Sequence, residues 1–115
     1  MSIKIYHNPT CSKSRQTLAL LEKKTTDFKI IEYLKNPLSF DEIKEIVEKL
    51  AIKPIDLIRK NEKLWRNNYK GKEMSDIEII AAMERNPKLI ERPIVIKNKH
   101  GIIARPPEKV LSLFD

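Results

Sequence analysis

The amino-acid sequence predicts an α/β fold with a mixed four-stranded sheet and flanking helices, in the order β-α-β, helical insertion, β-β-α. Short apolar runs near both ends of the chain predict the strands. Capping patterns with helical periodicity occupy the middle and predict the insertion. A β-α-β unit pairs its strands in parallel and a hairpin pairs them antiparallel, so we expect both kinds of pairing in one sheet.

The first half of the chain predicts a strand, a helix and a second strand. Ile3 to Tyr6 is a short apolar run that ends at the turn-forming Asn8-Pro9. Apolar residues at helical spacing predict helix one from Ser12 to about Lys24. Phe28 to Tyr33 is rich in aromatic and β-branched residues and predicts strand two.

The middle of the chain predicts a helical insertion at about 38–87. Pro54 opens a short helix, and residues 59–74 are polar, with helix fragments and loop. Two Ser-x-x-Glu capping boxes mark the starts of the longer helices: Ser39 with Glu42, and Ser75 with Glu78.

The end of the chain predicts a hairpin and a last helix. Ile94 to Ile96 and Ile102 to Ala104 flank residues 97–101, so we expect Gly101 in the turn and His100 beside it at the surface. Pro106-Pro107 can start the last helix. Together these elements give the thioredoxin-like arrangement.

Length and composition predict a single domain over residues 1–115. The chain is 41% hydrophobic and 34% charged, which is typical of soluble globular proteins. No apolar run approaches the ~18 residues of a membrane span, and the N-terminal residues do not resemble a signal peptide. With one free cysteine, these features favour a reducing cytoplasm and no membrane.

The net charge of +7 favours anionic partners. The densest basic stretch, Arg59 to Lys72, carries six Lys and Arg with Glu62 as its only acid. No nucleic-acid reading motif or aromatic-studded basic surface accompanies it. We therefore expect a solvated basic surface and no nucleic-acid partner.

Cys11 is the only cysteine and lies where the first strand gives way to helix one. Unsatisfied N–H groups and the helix dipole favour the thiolate there, whereas a buried lone cysteine is usually inert. In a thioredoxin-type fold this is the place of the reactive cysteine. Ser14 stands where a second cysteine would be; its hydroxyl can donate to the thiolate but cannot form a disulfide. Any redox cycle through Cys11 must therefore use a thiol from another molecule.

Three neighbours add charge or donors around Cys11. His7, Lys13 and Arg15 can each lower the pKa of the thiol, and His7 can act as base or charge partner. A metal site is not expected, because closed zinc sites need four ligands and the chain has one cysteine and two histidines.

Three arginines lie at element ends, where they can meet one oxyanion: Arg59, Arg92 and Arg105. Pro93 is the candidate for a cis peptide, which would place Arg92 close to Cys11. Spacing alone does not select these three, since any arginine among 23 basic residues can be a solvated surface charge.

The sequence resembles the glutaredoxin-dependent arsenate reductases, the ArsC family of thioredoxin-like proteins. The matching motifs occur in the family's order and span nearly the whole chain: Tyr6-His7-Asn8-Pro9-x-Cys11-x-x-Ser14-Arg15-x-Thr17-Leu18, Tyr33-Leu34-x-Asn36-Pro37, Leu57-Ile58-Arg59-Lys60, Pro87-x-Leu89-Ile90-x-Arg92-Pro93-Ile94 and Arg105-Pro106.

The resemblance implies that Cys11 attacks arsenate and that His7 and Ser14 help to hold its thiolate. It assigns oxyanion binding to three arginines: Arg59, Arg92 and Arg105. It also implies glutathione as co-substrate and glutaredoxin as the protein that resolves the adduct, with no bound cofactor. This chain departs from the best-known members at Ser12-Lys13, which can alter the docking of glutaredoxin.

Two other functions compete with arsenate reduction. A Spx-like regulator that binds RNA polymerase shares the fold but usually has a C-x-x-C switch, and Ser14 counts against it. A glutathione-dependent thiol oxidoreductase would use Cys11 on glutathionylated proteins. Pull-down of RNA polymerase subunits by the purified protein would favour the regulator, and saturable activity on a glutathionylated protein with none on arsenate would favour the oxidoreductase.

Overall fold

The computed structural model describes residues 2–114, which form two compact units. One unit comprises the residues up to Asn36 and those from Arg92 onward, and the other comprises Pro37–Glu91. The second unit corresponds to the helical insertion that the sequence predicts at about 38–87.

The first unit contains a mixed four-stranded sheet in the order β2-β1-β3-β4. Strand β1 (Ile3–Tyr6) pairs in parallel with β2 (Lys29–Ile31) and antiparallel with β3 (Ile94–Lys97). Strand β4 (His100–Ile103) pairs antiparallel with β3. The predicted mixed sheet is therefore confirmed, and its order is the thioredoxin-like arrangement.

Helix α1 (Ser12–Lys24) and the 3-10 helix Pro107–Phe114 pack together in this unit. One cluster of fully or nearly fully buried residues forms its core: Ile3, Ile5, Leu21, Val95, Ala104 and Val110. Lys97 ties the last helix to β3, because its Nζ donates to the Leu113 carbonyl at 2.8 Å and lies 4.7 Å from the Phe114 ring centroid.

The β3–β4 hairpin differs from the prediction. Its turn is Asn98-Lys99, and Gly101 lies within β4, so the prediction of a glycine in the turn is wrong. Asn98 has φ 57°, a left-handed conformation that asparagine tolerates, and this allows a two-residue turn without glycine. His100 consequently begins β4 rather than sitting in the turn, and it is exposed as predicted.

Strand β2 is also shorter than the predicted Phe28 to Tyr33. The N–H groups of Lys35 and Asn36 donate to the Glu32 carbonyl at 3.0 and 2.9 Å, so a turn begins directly after the strand. Tyr33 is buried within that turn, with 2% of its surface exposed. Tyr33 is therefore a buried turn residue and takes no part in the pairing of β2.

The second unit contains three α-helices and two 3-10 helices. Helices α2 (Phe40–Leu50), α3 (Lys63–Asn68) and α4 (Asp76–Arg85) are joined by segments that include the 3-10 helices Pro54–Leu57 and Pro87–Leu89. Both predicted capping boxes are confirmed. The Oγ atoms of Ser39 and Ser75 each accept from the N–H three residues later, at 3.2 Å.

Candidate active site

Cys11 is the N-cap residue of α1, is half-buried, and closes a tight loop. Its N–H donates to the Asn8 carbonyl at 3.0 Å. The Asn8 side-chain oxygen accepts from the N–H and the hydroxyl of Thr10, at 3.0 and 2.8 Å. This Asx-type turn fixes the approach to the helix. Asn8 was not among the predicted site residues, although the Asn-Pro pair before Cys11 was a signal for such a turn.

The pKa of the Cys11 thiol is lowered. Burial is the largest effect and opposes ionisation, but the N–H groups of Ser14 and Lys13 and the guanidinium of Arg92 together outweigh it. Arg92 acts both through its charge and as a hydrogen-bond donor to the sulfur. The helix start and one arginine therefore favour the reactive thiolate.

Behind this loop, His7 and Ser14 form a buried pair. His7 Nδ1 and Ser14 Oγ share a hydrogen bond of 2.6 Å, and Ser14 Oγ also accepts from the Asn8 N–H at 3.0 Å. The hydroxyl of Ser14 thus contacts His7 and Asn8, and it is the backbone N–H of Ser14 that favours the Cys11 thiolate. Sequence reasoning assigned that donation to the hydroxyl.

The pKa of His7 is lowered from its ordinary value of 6.5. Burial is the main cause; Glu32 opposes it and Arg15 reinforces it. The lowered pKa favours the neutral imidazole, which shares its hydrogen bond with Ser14.

The side chains of Lys13 and Arg15 are not among the groups that lower the pKa of the Cys11 thiol. Lys13 favours the thiolate through its backbone N–H, and its side chain is exposed. Arg15 Nη1 donates to the Pro9 carbonyl at 2.9 Å, which braces the loop before Cys11.

Arg92 and Arg105, two of the three arginines predicted to bind the oxyanion, belong to the first unit, which also contains Cys11. The Arg92–Pro93 peptide is cis, and so is Arg105–Pro106, which the sequence analysis did not single out. Arg105 Nη1 donates to the Arg92 carbonyl at 3.1 Å. Arg105 therefore contacts the backbone of the residue whose guanidinium reaches Cys11.

Arg59 lies in the other unit, directly after the 3-10 helix Pro54–Leu57 and Ile58. Its Nη1 donates to Glu62 Oε2 at 3.0 Å, and its N–H donates to the Leu89 carbonyl at 2.7 Å. Glu62 was recognised in the sequence only as the single acid of a basic stretch. The three-residue spacing to Arg59 was the signal for the ion pair.

A cavity of about 400 Å³ in the insertion is mainly apolar and contains no cysteine, histidine or arginine: its lining includes Phe40, Val47, Ile52, Pro54, Ile77 and Ile80. No cluster of three or more metal-ligating side chains occurs among the described residues. None of the described helices is both long and apolar enough to cross a membrane.

Comparison with known proteins identifies the family. The ArsC family model matches residues 6–113. An arsenate reductase of Haemophilus influenzae is 43% identical over 115 residues, covering 98% of this chain and 99% of the relative. The uncharacterised protein YfgD of Escherichia coli K12 is 40% identical over 113 residues, covering 96% and 95%. The solved structure of an arsenate reductase from Vibrio cholerae superposes with a TM-score of 0.92 at 44% identity, covering 97% of each chain. The chain belongs to the ArsC family.

Proposed function

We propose that this protein reduces arsenate to arsenite through a covalent adduct on Cys11. The observation that carries the proposal is the placement of Cys11 at the start of α1 with the Arg92 guanidinium beside its sulfur, an arrangement that also lowers the pKa of the thiol. A thiolate is the nucleophile that this chemistry needs, and a guanidinium is a suitable ligand for the oxyanion it attacks. The relatives named arsenate reductases support the choice of substrate.

The first step is a displacement at arsenic(V). The Cys11 thiolate attacks arsenic, a sulfur–arsenic bond forms, and one arsenic–oxygen bond breaks. The departing oxygen takes up protons and leaves as water. Arsenic stays in the +5 state, so this step needs no reductant.

The reduction needs two electrons, and Cys11 cannot supply them alone. We propose that the glutathione thiol binds arsenic and displaces a second oxygen as water, and that the glutaredoxin thiol then attacks the glutathione sulfur. The arsenic–sulfur bond to glutathione breaks, a disulfide leaves, arsenic keeps the electron pair and becomes +3, and water then displaces Cys11 from arsenic. The overall balance is arsenate plus two thiols giving arsenite, a disulfide and water. Cys11 leaves as thiolate, ready for another cycle. The absence of a second cysteine in the chain supports this external route.

The remaining site residues bind and orient. We propose that Arg59, Arg92 and Arg105 bind the oxyanion, as the family resemblance implies, and offset its charge during the displacement. His7 and Ser14 hold the loop below Cys11 through their hydrogen bond of 2.6 Å. The single free cysteine favours a reducing compartment such as the cytoplasm.

The test is arsenate-dependent NADPH oxidation with glutathione, glutaredoxin and glutathione reductase. We expect turnover with the wild-type protein and none with Cys11→Ser. Turnover on a glutathionylated protein but none on arsenate would instead favour a thiol oxidoreductase that uses the same cysteine. No activity on either substrate contradicts the proposal.

A further inference from the structure

Glu62 is paired with Arg59, the one arginine of the predicted oxyanion-binding set that lies in the helical insertion. Arg59 Nη1 donates to Glu62 Oε2 at 3.0 Å, and the two side chains are 33% and 20% exposed. An ion pair that is partly removed from water is screened less than one on an open surface. The Glu62 carboxylate therefore restricts the position of the Arg59 guanidinium.

The backbone around Arg59 is held as well. The Arg59 N–H donates to the Leu89 carbonyl at 2.7 Å, and the Glu62 N–H donates to the Arg59 carbonyl at 3.0 Å. Ile58 forms an isolated antiparallel bridge with Ile90. With the main chain fixed in this way, the freedom left to Arg59 is rotation of its long side chain, which Glu62 limits.

The place of Glu62 in the chain suggests that its carboxylate serves this contact. Glu62 is the N-cap residue of α3, yet its side chain makes no capping hydrogen bond. The N-cap serines of α2 and α4, Ser39 and Ser75, do cap their helices. Helix α3 thus lacks a stabilising contact that α2 and α4 have, and the carboxylate at that position binds Arg59 instead.

We propose that Glu62 is a positioning residue for the oxyanion substrate, holding the Arg59 guanidinium by Nη1 while its other N–H groups are free to donate to the anion. This inference rests on the proposed function, in which Arg59 binds arsenate. A guanidinium has five N–H donors, so one carboxylate contact leaves enough of them for an anion. An arginine already held in one rotamer loses less conformational entropy when the anion binds.

Calorimetric titration of arsenate into Cys11→Ser protein tests this without turnover, because that variant cannot form the adduct. We expect Glu62→Ala to weaken binding about tenfold, since the guanidinium must then be ordered by the anion itself. Glu62→Gln keeps an acceptor oxygen and should bind within about twofold of the parent. Glu45→Ala is the matched control: it removes the acid of the 2.9 Å pair with Lys49 and the same unit of charge.

Two further results separate positioning from a structural role. Arg59→Ala combined with Glu62→Ala should bind arsenate no more weakly than Arg59→Ala alone. With Cys11 restored, Glu62→Ala should raise KM and leave kcat nearly unchanged. Arsenate binding by Glu62→Ala that equals or exceeds the parent overturns the inference. If the Cys11→Ser parent binds no arsenate although the wild-type protein turns it over, this inference alone is overturned; if the wild-type protein shows no turnover, the proposed function fails.

Discussion

The start of α1 and the starts of α2 and α4 use the same N-cap position for different purposes. In α2 and α4 a serine oxygen accepts the N–H three residues later, and acidic residues occupy the first turn. In α1 the N-cap is Cys11, the thiol makes no capping hydrogen bond, and the first turn has no acid. The corresponding N–H, that of Ser14, instead lowers the pKa of the thiol.

This difference shows how one local geometry can serve stability or reactivity. A neutral hydroxyl at the N-cap satisfies a helix N–H and stabilises the fold. A thiol is a weak acceptor, so the same N–H groups gain most when the sulfur is charged. An acidic residue in the first turn of α1 would compete with the sulfur for these N–H groups and would repel the thiolate. The absence of such a residue therefore favours ionisation of Cys11.

We expect the largest effect from replacing Cys11 with serine, the N-cap residue of α2 and α4. Cys11→Ser should abolish arsenate turnover and, at pH 6, raise the free energy of unfolding by about 0.5–1 kcal/mol, since serine caps the helix. The gain should shrink at alkaline pH. Because the pKa of Cys11 is lower in the folded state than in the unfolded state, ionisation of Cys11 stabilises the wild-type protein at pH values above the unfolded pKa. This stabilisation is lost as the pH falls through the folded pKa. Urea unfolding at both pH values checks this, and a variant less stable than wild type at pH 6 would contradict the comparison.

Arg92→Ala should have the next largest effect, because Arg92 is the side chain that favours the thiolate. We expect the pKa of Cys11 to rise and kcat/KM for arsenate to fall on the order of 10- to 100-fold. Arg66→Ala, which removes an exposed charge from α3, is the control for net charge. Equal kinetics in the two variants would remove Arg92 from the site.

Removing a cap from the insertion should affect stability alone. Ser39→Ala and Ser75→Ala should each lower the free energy of unfolding by about 1 kcal/mol, through loss of the capping hydrogen bond. Neither should change the rate at which Cys11 is alkylated. Thermal and urea unfolding give the first quantity, and iodoacetamide kinetics give the second; a slower alkylation would show that the caps act on the site.

The smallest expected effect tests the missing acid directly. Ser12→Asp adds a carboxylate to the first turn of α1, as in α2 and α4, and should raise the pKa of Cys11. Alkylation at pH 7 should slow about threefold, whereas the isosteric Ser12→Asn should change it little. Identical rates for the two variants would mean that first-turn charge does not influence the thiol.

Much of this comparison could be predicted from the sequence because it depends on local chemistry. The capping boxes at Ser39 and Ser75 need only residues three apart. The place of Cys11 at a helix start followed from an apolar run, a turn and a helical stripe. The mixed sheet followed from the order of the elements.

What the sequence did not predict depends on tertiary contacts. The Ser14 hydroxyl could bond to Cys11 or to His7, and only the folded loop shows that it contacts His7 and Asn8. The hairpin turn lies at Asn98-Lys99 and does not include Gly101, because the register of β3 and β4 places Gly101 opposite Ile96. The Arg59–Glu62 pair is local and its spacing was visible in the sequence, but only the structure shows that the Glu62 side chain does not cap α3.

The decisive measurement compares the pKa of Cys11 in the folded protein with the pKa of the same thiol in urea-unfolded protein. The pH dependence of iodoacetamide alkylation gives both values, since only the thiolate reacts. We expect a lower pKa in the folded state, because the N–H groups of Ser14 and Lys13 and the Arg92 guanidinium outweigh burial. A folded-state pKa equal to or above the unfolded one would contradict this expectation.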